Sequence, residues 1–128
     1  MKVSQINKTN FKAGSLTLNR IKPEKFYSYE SIKKIAEDKN MDIFIIKNQK
    51  SAYLPKEDMY TVMASSIIPI IQRGFYTVGY KTQYAMSCMI ANNKISKEEL
   101  SVKIFNSAIT AIESLEKKLA GLKIKRTV

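Results

Sequence analysis

The chain contains no histidine and only one cysteine, Cys88, in 128 residues. Histidine is the usual general base near neutral pH and the commonest metal ligand in proteins. Its absence excludes the Ser-His-Asp and Cys-His triads and every zinc site that needs an imidazole. The four glycines form no phosphate-binding or dinucleotide-binding loop. We therefore expect no catalytic residues, no cofactor and no metal, and predict a non-enzymatic protein.

A lone cysteine also restricts the environment of the chain. One thiol cannot form an intramolecular disulfide, which predicts a reducing compartment, and we expect the protein to be cytoplasmic. The segment Ala85-Met86-Ser87-Cys88-Met89-Ile90 is apolar and predicts that the Cys88 thiol is buried. The most apolar window, 59–71, is too short to span a bilayer, so no membrane is expected among the partners.

Acidic residues are few, and the chain carries a net charge of +11. Such a charge predicts an anionic partner, and nucleic acid is the commonest one. Of the 22 basic residues, 19 are lysine, and the chain holds 17 isoleucines and 8 asparagines. This bias is typical of an AT-rich genome and points to a bacterium or its phage. Codon supply therefore offers a second explanation for the abundance of lysine.

The length fits a single compact domain over residues 1–128. Residues 1–13 are polar and are expected to be a loose N-terminal arm or a short strand. Residues 123–128 form a basic C-terminal tail. We predict an α+β fold in which a small, mainly antiparallel sheet is packed by two helices.

The first helix is expected at about 28–39 and the second, long and amphipathic, at about 96–122. Ser28 is a candidate N-cap and Asn40 a candidate terminating residue for the first helix. Ser96 and Glu99 form a capping box for the second helix, and Gly121 is its candidate terminator.

Strands are predicted where β-forming residues cluster or alternate with polar ones. The clearest is 41–47, which we expect to be buried on both faces, and residues 76–84 alternate cleanly. A weaker strand covers 15–21, and 52–54 is a candidate return strand. The run 59–64 is ambiguous between helix and strand because it has no decisive period.

An apolar stripe of the second helix has heptad-like spacing. Its larger members are Phe105, Ile112, Leu115 and Leu119. The stripe has two interpretations, packing against the chain's own sheet or a homodimer through the C-terminal helix.

The octapeptide 73–80 resembles the RNP1 motif of the RNA recognition motif family, and Ile43-Phe44-Ile45 resembles the start of its RNP2 strand. Tyr76 and Thr77 depart from the RNP1 pattern, and a long helix ends the chain where that family has a fourth strand. The resemblance implies bases stacked on Phe44 and Phe75, with Arg73 at a phosphate.

Two functions follow from these features. The first is a small accessory protein that acts through protein–protein contacts with an unknown partner. The alternative is a nucleic-acid-binding module, with anion contacts at Arg73, Lys81, Lys123, Lys125 and Arg126 and stacking by Phe44, Phe75, Tyr76, Tyr80 and Tyr84. Phosphate-driven binding weakens steeply with salt, whereas a protein interface responds much less, so salt separates the two.

Overall fold

The computed structural model describes residues 14–49, 52–53, 55–71 and 78–127. The predicted N-terminal arm, 1–13, lies outside the described residues. Four strands and two helices follow in the order β1 (Ser15–Asn19), α1 (Tyr29–Lys39), β2 (Asp42–Lys47), β3 (Glu57–Ile71), β4 (Val78–Asn92) and α2 (Lys97–Thr127), with a 3₁₀ turn at Pro23–Lys25. The α+β prediction is confirmed.

The strands form one sheet in the order β1-β2-β3-β4. The crossover through α1 makes β1 and β2 parallel, and the other two pairings are antiparallel. β4 therefore points the same way as β1 and β2. Because α1 follows β1 and α2 follows β4, both helices begin at the same end of the sheet.

The two halves of the β3–β4 hairpin differ in their surroundings. Each strand is 15 residues long, but β2 pairs only with residues 60–65 of β3. Residues 66–71 of β3 have β4 as their only described neighbouring strand, over 78–83. We call this part the ribbon. Pro69 lies in it, where the missing N–H would face the side without a strand, and proline is tolerated at such a position.

The core lies between one face of the sheet and the two helices. Ile43 and Ile45 of β2 and Val62 of β3 are fully buried, and so are Ile32 of α1 and Leu115 of α2. Burying one such side chain stabilises the fold by about 1.5–3 kcal/mol relative to leaving it in water. The stripe of α2 packs inside its own chain: Ile112 and Leu115 are buried, and Phe105 and Leu119 pack against the core.

Helix α1 has the predicted boundaries. Asn40 ends it in the left-handed conformation at φ 54°, where its backbone N–H donates to carbonyls of the last turn. Ser28 is the N-cap residue, but its hydroxyl donates to the Ser101 carbonyl at 3.3 Å instead of capping. The Ser101 hydroxyl accepts from the Tyr27 N–H at 3.0 Å, so this pair of contacts joins the residues just before α1 to the N-terminal part of α2.

The predicted N-cap of α2 is confirmed, because the Ser96 hydroxyl accepts the Glu99 N–H at 3.2 Å. The long helix predicted at about 96–122 is confirmed, although it extends past its expected terminator Gly121. The helix continues through Gly121 to Thr127, so the residues expected to form a basic tail, apart from Val128, belong to α2. A glycine commonly ends a helix by adopting the left-handed conformation, whereas here the residues on both sides of Gly121 are good helix formers.

Three strand predictions need correction or completion. Segment 41–47 is not buried on both faces, because Phe44 and Ile46 stay half-exposed while Ile43 and Ile45 are buried. The ambiguous run 59–64 is strand. Ala52 and Tyr53 lie in a turn, so the predicted return strand is absent there.

No helix in the described part of the chain is long and apolar enough to cross a membrane.

Candidate functional site

Both helices cover the same face of the sheet and leave the other face without a covering layer of described residues. Alternation along each strand assigns every second side chain to this open face. The register places Phe44, Met63 and Met86 in one row across three strands, and Ile46, Thr61 and Cys88 in the next. We call this surface the open face.

Large apolar side chains dominate the open face. Met86, Tyr84, Ile67 and Ile90 are 59%, 52%, 51% and 44% exposed. Four more are half-exposed beside them: Phe44, Ile46, Met59 and Met63. Together they form an apolar surface that runs across β2, β3 and β4. Large exposed apolar patches are typical of interaction sites. An antiparallel sheet that simply faces water normally carries polar residues there.

Basic residues are absent from the open-face positions of the four strands as far as the structure describes them. Alternation along the strands assigns Lys47 and Lys81 to the helix-covered face. The two charged residues at described open-face positions are acidic, Asp42 and Glu57. Asp42 accepts a hydrogen bond from the Ser15 hydroxyl at 2.8 Å. The net charge of +11 is therefore carried by other parts of the molecule.

The stacking candidates divide between described and undescribed residues. Phe44, Tyr80 and Tyr84 all lie on the open face. Phe75 and Tyr76 lie outside the described residues. The sequence prediction thus named three members of the open face without identifying the aliphatic and methionine residues that form most of it.

The anion-contact candidates are not brought together. Lys81 is an exposed residue of β4, and alternation along the strand assigns it to the helix-covered face. Lys123, Lys125 and Arg126 belong to the last turns of α2, where only the backbone is described. Arg73 lies outside the described residues. No described cluster of these five residues therefore supports a phosphate site.

The self-association candidates serve the chain's own core. Ile112 is 2% exposed and Leu115 is fully buried, so neither side chain is available to a second copy without opening the fold. Phe105 and Leu119 are partly buried in the same packing. The intramolecular interpretation of the stripe is the one that the structure shows.

Cys88 is exposed, so the prediction of a buried thiol is wrong. It lies on the open face opposite Thr61, with 3.8 Å between the Thr61 Oγ1 and Cys88 Sγ atoms. The sequence around Cys88 is apolar because both faces of β4 carry apolar residues. The sequence alone could not tell which of these residues face the core and which face the open side.

A polar pocket of about 580 Å³ lies at the end of the sheet where both helices begin. Arg20, Lys47, Asn48, Asp58 and Asn93 line it. Lys47 pairs with Asp58 at 3.7 Å, and burial, followed by the Asp58 charge, raises the pKa of the adjacent Tyr60. An anion in this pocket would meet the Asp58 carboxylate as well as the two cations, so the charges favour no simple anion.

Among the described residues, no group of three or more acidic or cysteine side chains is arranged to hold a metal ion. Comparison of the chain with protein-family models, with curated proteins and with solved structures gives no match.

Proposed function

We propose that this chain is a non-enzymatic protein-binding module whose open face docks on an apolar surface of a partner protein. The observation that carries the proposal is the apolar surface on the side of the sheet that no described helix covers, from Phe44 across Met63 to Met86. Methionine is flexible and polarizable, and suits a surface that adapts to a partner.

Charge specifies the partner further. The open face carries no described basic residue, whereas the whole chain has a net charge of +11. The fitting partner has an apolar contact surface within an acidic exterior. Long-range attraction then accelerates encounter, and apolar burial supplies most of the affinity.

The test compares two matched charge insertions. Ile67 on the open face and Val102 on α2 are exposed to similar extents, 51% and 58%. The partner is isolated with the wild-type chain, purified, and titrated calorimetrically against Ile67→Glu and Val102→Glu. We expect Ile67→Glu to weaken binding at least about tenfold, because a carboxylate would be desolvated in the interface. Val102→Glu should bind as the wild type does.

Three outcomes would contradict the proposal. Equal affinity of the Ile67→Glu and wild-type chains would place the interface elsewhere. A concentration-dependent dimer in sedimentation that Ile67→Glu dissolves would make the open face a self-interface. If the wild-type chain bound no purified protein, the chain would not be a protein-binding module.

Nucleic acid is the second candidate, favoured by the shared placement of Phe44, Tyr80 and Tyr84 on the open face. Base stacking on such side chains is worth about 1–3 kcal/mol per base. Fluorescence anisotropy of labelled single- and double-stranded oligonucleotides at about 50 and 200 mM salt tests it. Single-strand binding that survives the higher salt, and that Tyr84→Ala weakens more than Tyr53→Ala, would support this function. Tyr53 is a matched control because it is exposed in the turn before β3. Binding that vanishes at the higher salt in all variants would contradict it.

A further inference from the structure

The outer edge of β4 is a row of backbone groups without a neighbouring strand in the described chain. The Asn93 N–H donates to the Lys56 carbonyl at 2.9 Å, which sets the phase of the β3–β4 ladder. Hydrogen-bonded and non-hydrogen-bonded pairs alternate in an antiparallel ladder. The N–H and C=O groups of Tyr84, Met86, Cys88 and Ile90 therefore point away from β3. In agreement, the Tyr84 carbonyl accepts a hydrogen bond from Lys118 of α2 at 2.6 Å.

Helix α2 runs alongside this edge in the opposite direction. Its Ser107 hydroxyl donates to the Ser87 hydroxyl at 2.8 Å, in the middle of the contact. Between the strand edge and the helix lies a groove of about 310 Å³, whose helical side presents Lys103, Asn106 and Thr110. We call it the β4–α2 groove.

A strand edge beside a helix is a geometry that accepts an extended peptide. The peptide adds a strand to the sheet through main-chain hydrogen bonds, and the groove selects its side chains. From Tyr84 to Ile90 the edge is roughly 20 Å long at 3.4 Å per residue, which is room for about six residues. The groove is polar on its helical side, which suits side chains that hydrogen-bond to Asn106 and Thr110.

Two lysines mark the ends of this length. Lys103 lies beside Ile90, and Lys118 lies beside Tyr84, with its ammonium 5.6 Å from the centre of the Tyr84 ring. Lys103 has no ion-pair partner among the described residues. Carboxylates spaced by about six residues along an extended chain would meet both ammonium groups.

We infer that the β4–α2 groove binds an extended acidic peptide segment of a partner as a fifth strand on β4. This binding uses the backbone edge of β4 and the helical side of the groove. The open-face residues Cys88 and Ile90 line the groove, whereas Ile67 does not. A second copy of β4 in the same place would bring its own Lys103 and Lys118 toward this pair, and like charges disfavour it.

The experiment starts from a probe of unbiased sequence. Random octapeptides displayed on phage are selected against the immobilised full chain, and a selected peptide is synthesised with a fluorescent label. Analogues carrying one N-methyl group each are then titrated by anisotropy. Strand addition predicts an alternating result: N-methylation at every second residue abolishes binding, because those N–H groups donate to β4 carbonyls, and the residues between tolerate it.

Variants of the chain locate the peptide. Asn106→Trp should block the groove and abolish binding, whereas Ala120→Trp, on an exposed site of the same helix outside the groove, should not. Lys103→Glu and Lys118→Glu should each weaken binding by up to about fivefold, and Lys94→Glu should not. Ile67→Glu, which tests the open face, should leave peptide affinity unchanged.

Several results would overturn the inference. They are a selection that yields no acidic peptide, N-methyl effects without alternation, or equal binding by Asn106→Trp. Loss of peptide binding in Ile67→Glu would assign the peptide to the open face instead. A dimer in sedimentation that Asn106→Trp abolishes would make the groove a site of self-pairing.

Discussion

The hydroxyl of Ser107 donates to the hydroxyl of Ser87 across the contact between α2 and β4, at 2.8 Å. Ser107 is buried, and Ser87 is half-buried. Removing one partner leaves the other hydroxyl without its hydrogen bond in a poorly hydrated place, whereas removing both leaves no polar group to satisfy. We expect Ser107→Ala to lower the free energy of unfolding by about 1–2 kcal/mol, and the double variant with Ser87→Ala to lose less than the sum of the single losses. Urea denaturation of the four chains measures the coupling; strict additivity would show that the two hydroxyls do not interact.

Glycine substitutions are expected to act in opposite directions at two positions. A Cβ atom at Gly14 would clash with the Ala36 carbonyl oxygen, and the φ of Gly14 is +20°. Gly14→Ala should therefore cost about 2 kcal/mol or more. A Cβ at Gly121 meets nothing within 4 Å, and the residue lies inside α2. Gly121→Ala should raise the free energy of unfolding by about 0.5–1 kcal/mol. Denaturant midpoints of both variants check this, and destabilisation by Gly121→Ala would contradict the continued helix.

Leu115→Ala tests the role of the α2 stripe. The side chain is fully buried between α2 and the sheet, so truncation should lower the free energy of unfolding by about 2–5 kcal/mol. Val102→Ala, on an exposed position of the same helix, should change it by less than about 0.5 kcal/mol. If Leu115→Ala instead left stability intact and altered the sedimentation coefficient, the stripe would be an interface between copies.

Cys88 should react with a thiol reagent in the folded protein at a rate comparable with that in denaturant. Its side chain is exposed, and modification needs no opening of the sheet. The reaction is followed by the absorbance change after the thiol reagent is added in a stoichiometric amount. A native rate that tracks the unfolding equilibrium across denaturant concentrations would mean that the thiol is covered.

Tyr60 gives the stability a dependence on alkaline pH. Burial, and then the charge of Asp58, raise its pKa above the usual value of 10.0. The folded state therefore holds this proton more tightly than the unfolded state. The contribution of the protonated Tyr60 to the free energy of unfolding is fully present below pH 10. It is lost as the pH rises through the raised pKa of the folded state. The free energies of unfolding of the wild type and Tyr60→Phe, measured from denaturant curves, should change in parallel up to about pH 10. Above that pH the wild type should lose more stability than Tyr60→Phe. Parallel losses would exclude Tyr60 as the cause.

The parts of the fold that the sequence predicted are those set by local chemistry. The Ser96 N-cap, the left-handed Asn40 and the α+β class depend on residues close together in the chain. The β3 segment 59–64 stayed ambiguous because both of its faces are apolar, one toward the helices and the other on the open face. The missing alternation that obscured the strand is the same feature that makes the open face apolar and supports the proposed function.

The candidate site was predictable only in part, for a related reason. The sequence identifies Phe44, Tyr80 and Tyr84 as aromatic, but their shared face depends on register across three strands. The β4–α2 groove depends on the order of strands, which leaves β4 at an edge, and on the placement of Lys103 and Lys118 along it. No local pattern encodes that order.

The ribbon gives a single hairpin two regimes of protection against hydrogen exchange. Residues 60–65 of β3 lie between two strands. Their amide hydrogens therefore exchange only when much of the sheet opens. Over 66–71 the described ladder has two strands, and a two-stranded ladder is marginal in water. Exchange along β3 should therefore change from global to local opening near Ser65. The hairpin can fray from its far end while the rest of the molecule remains folded.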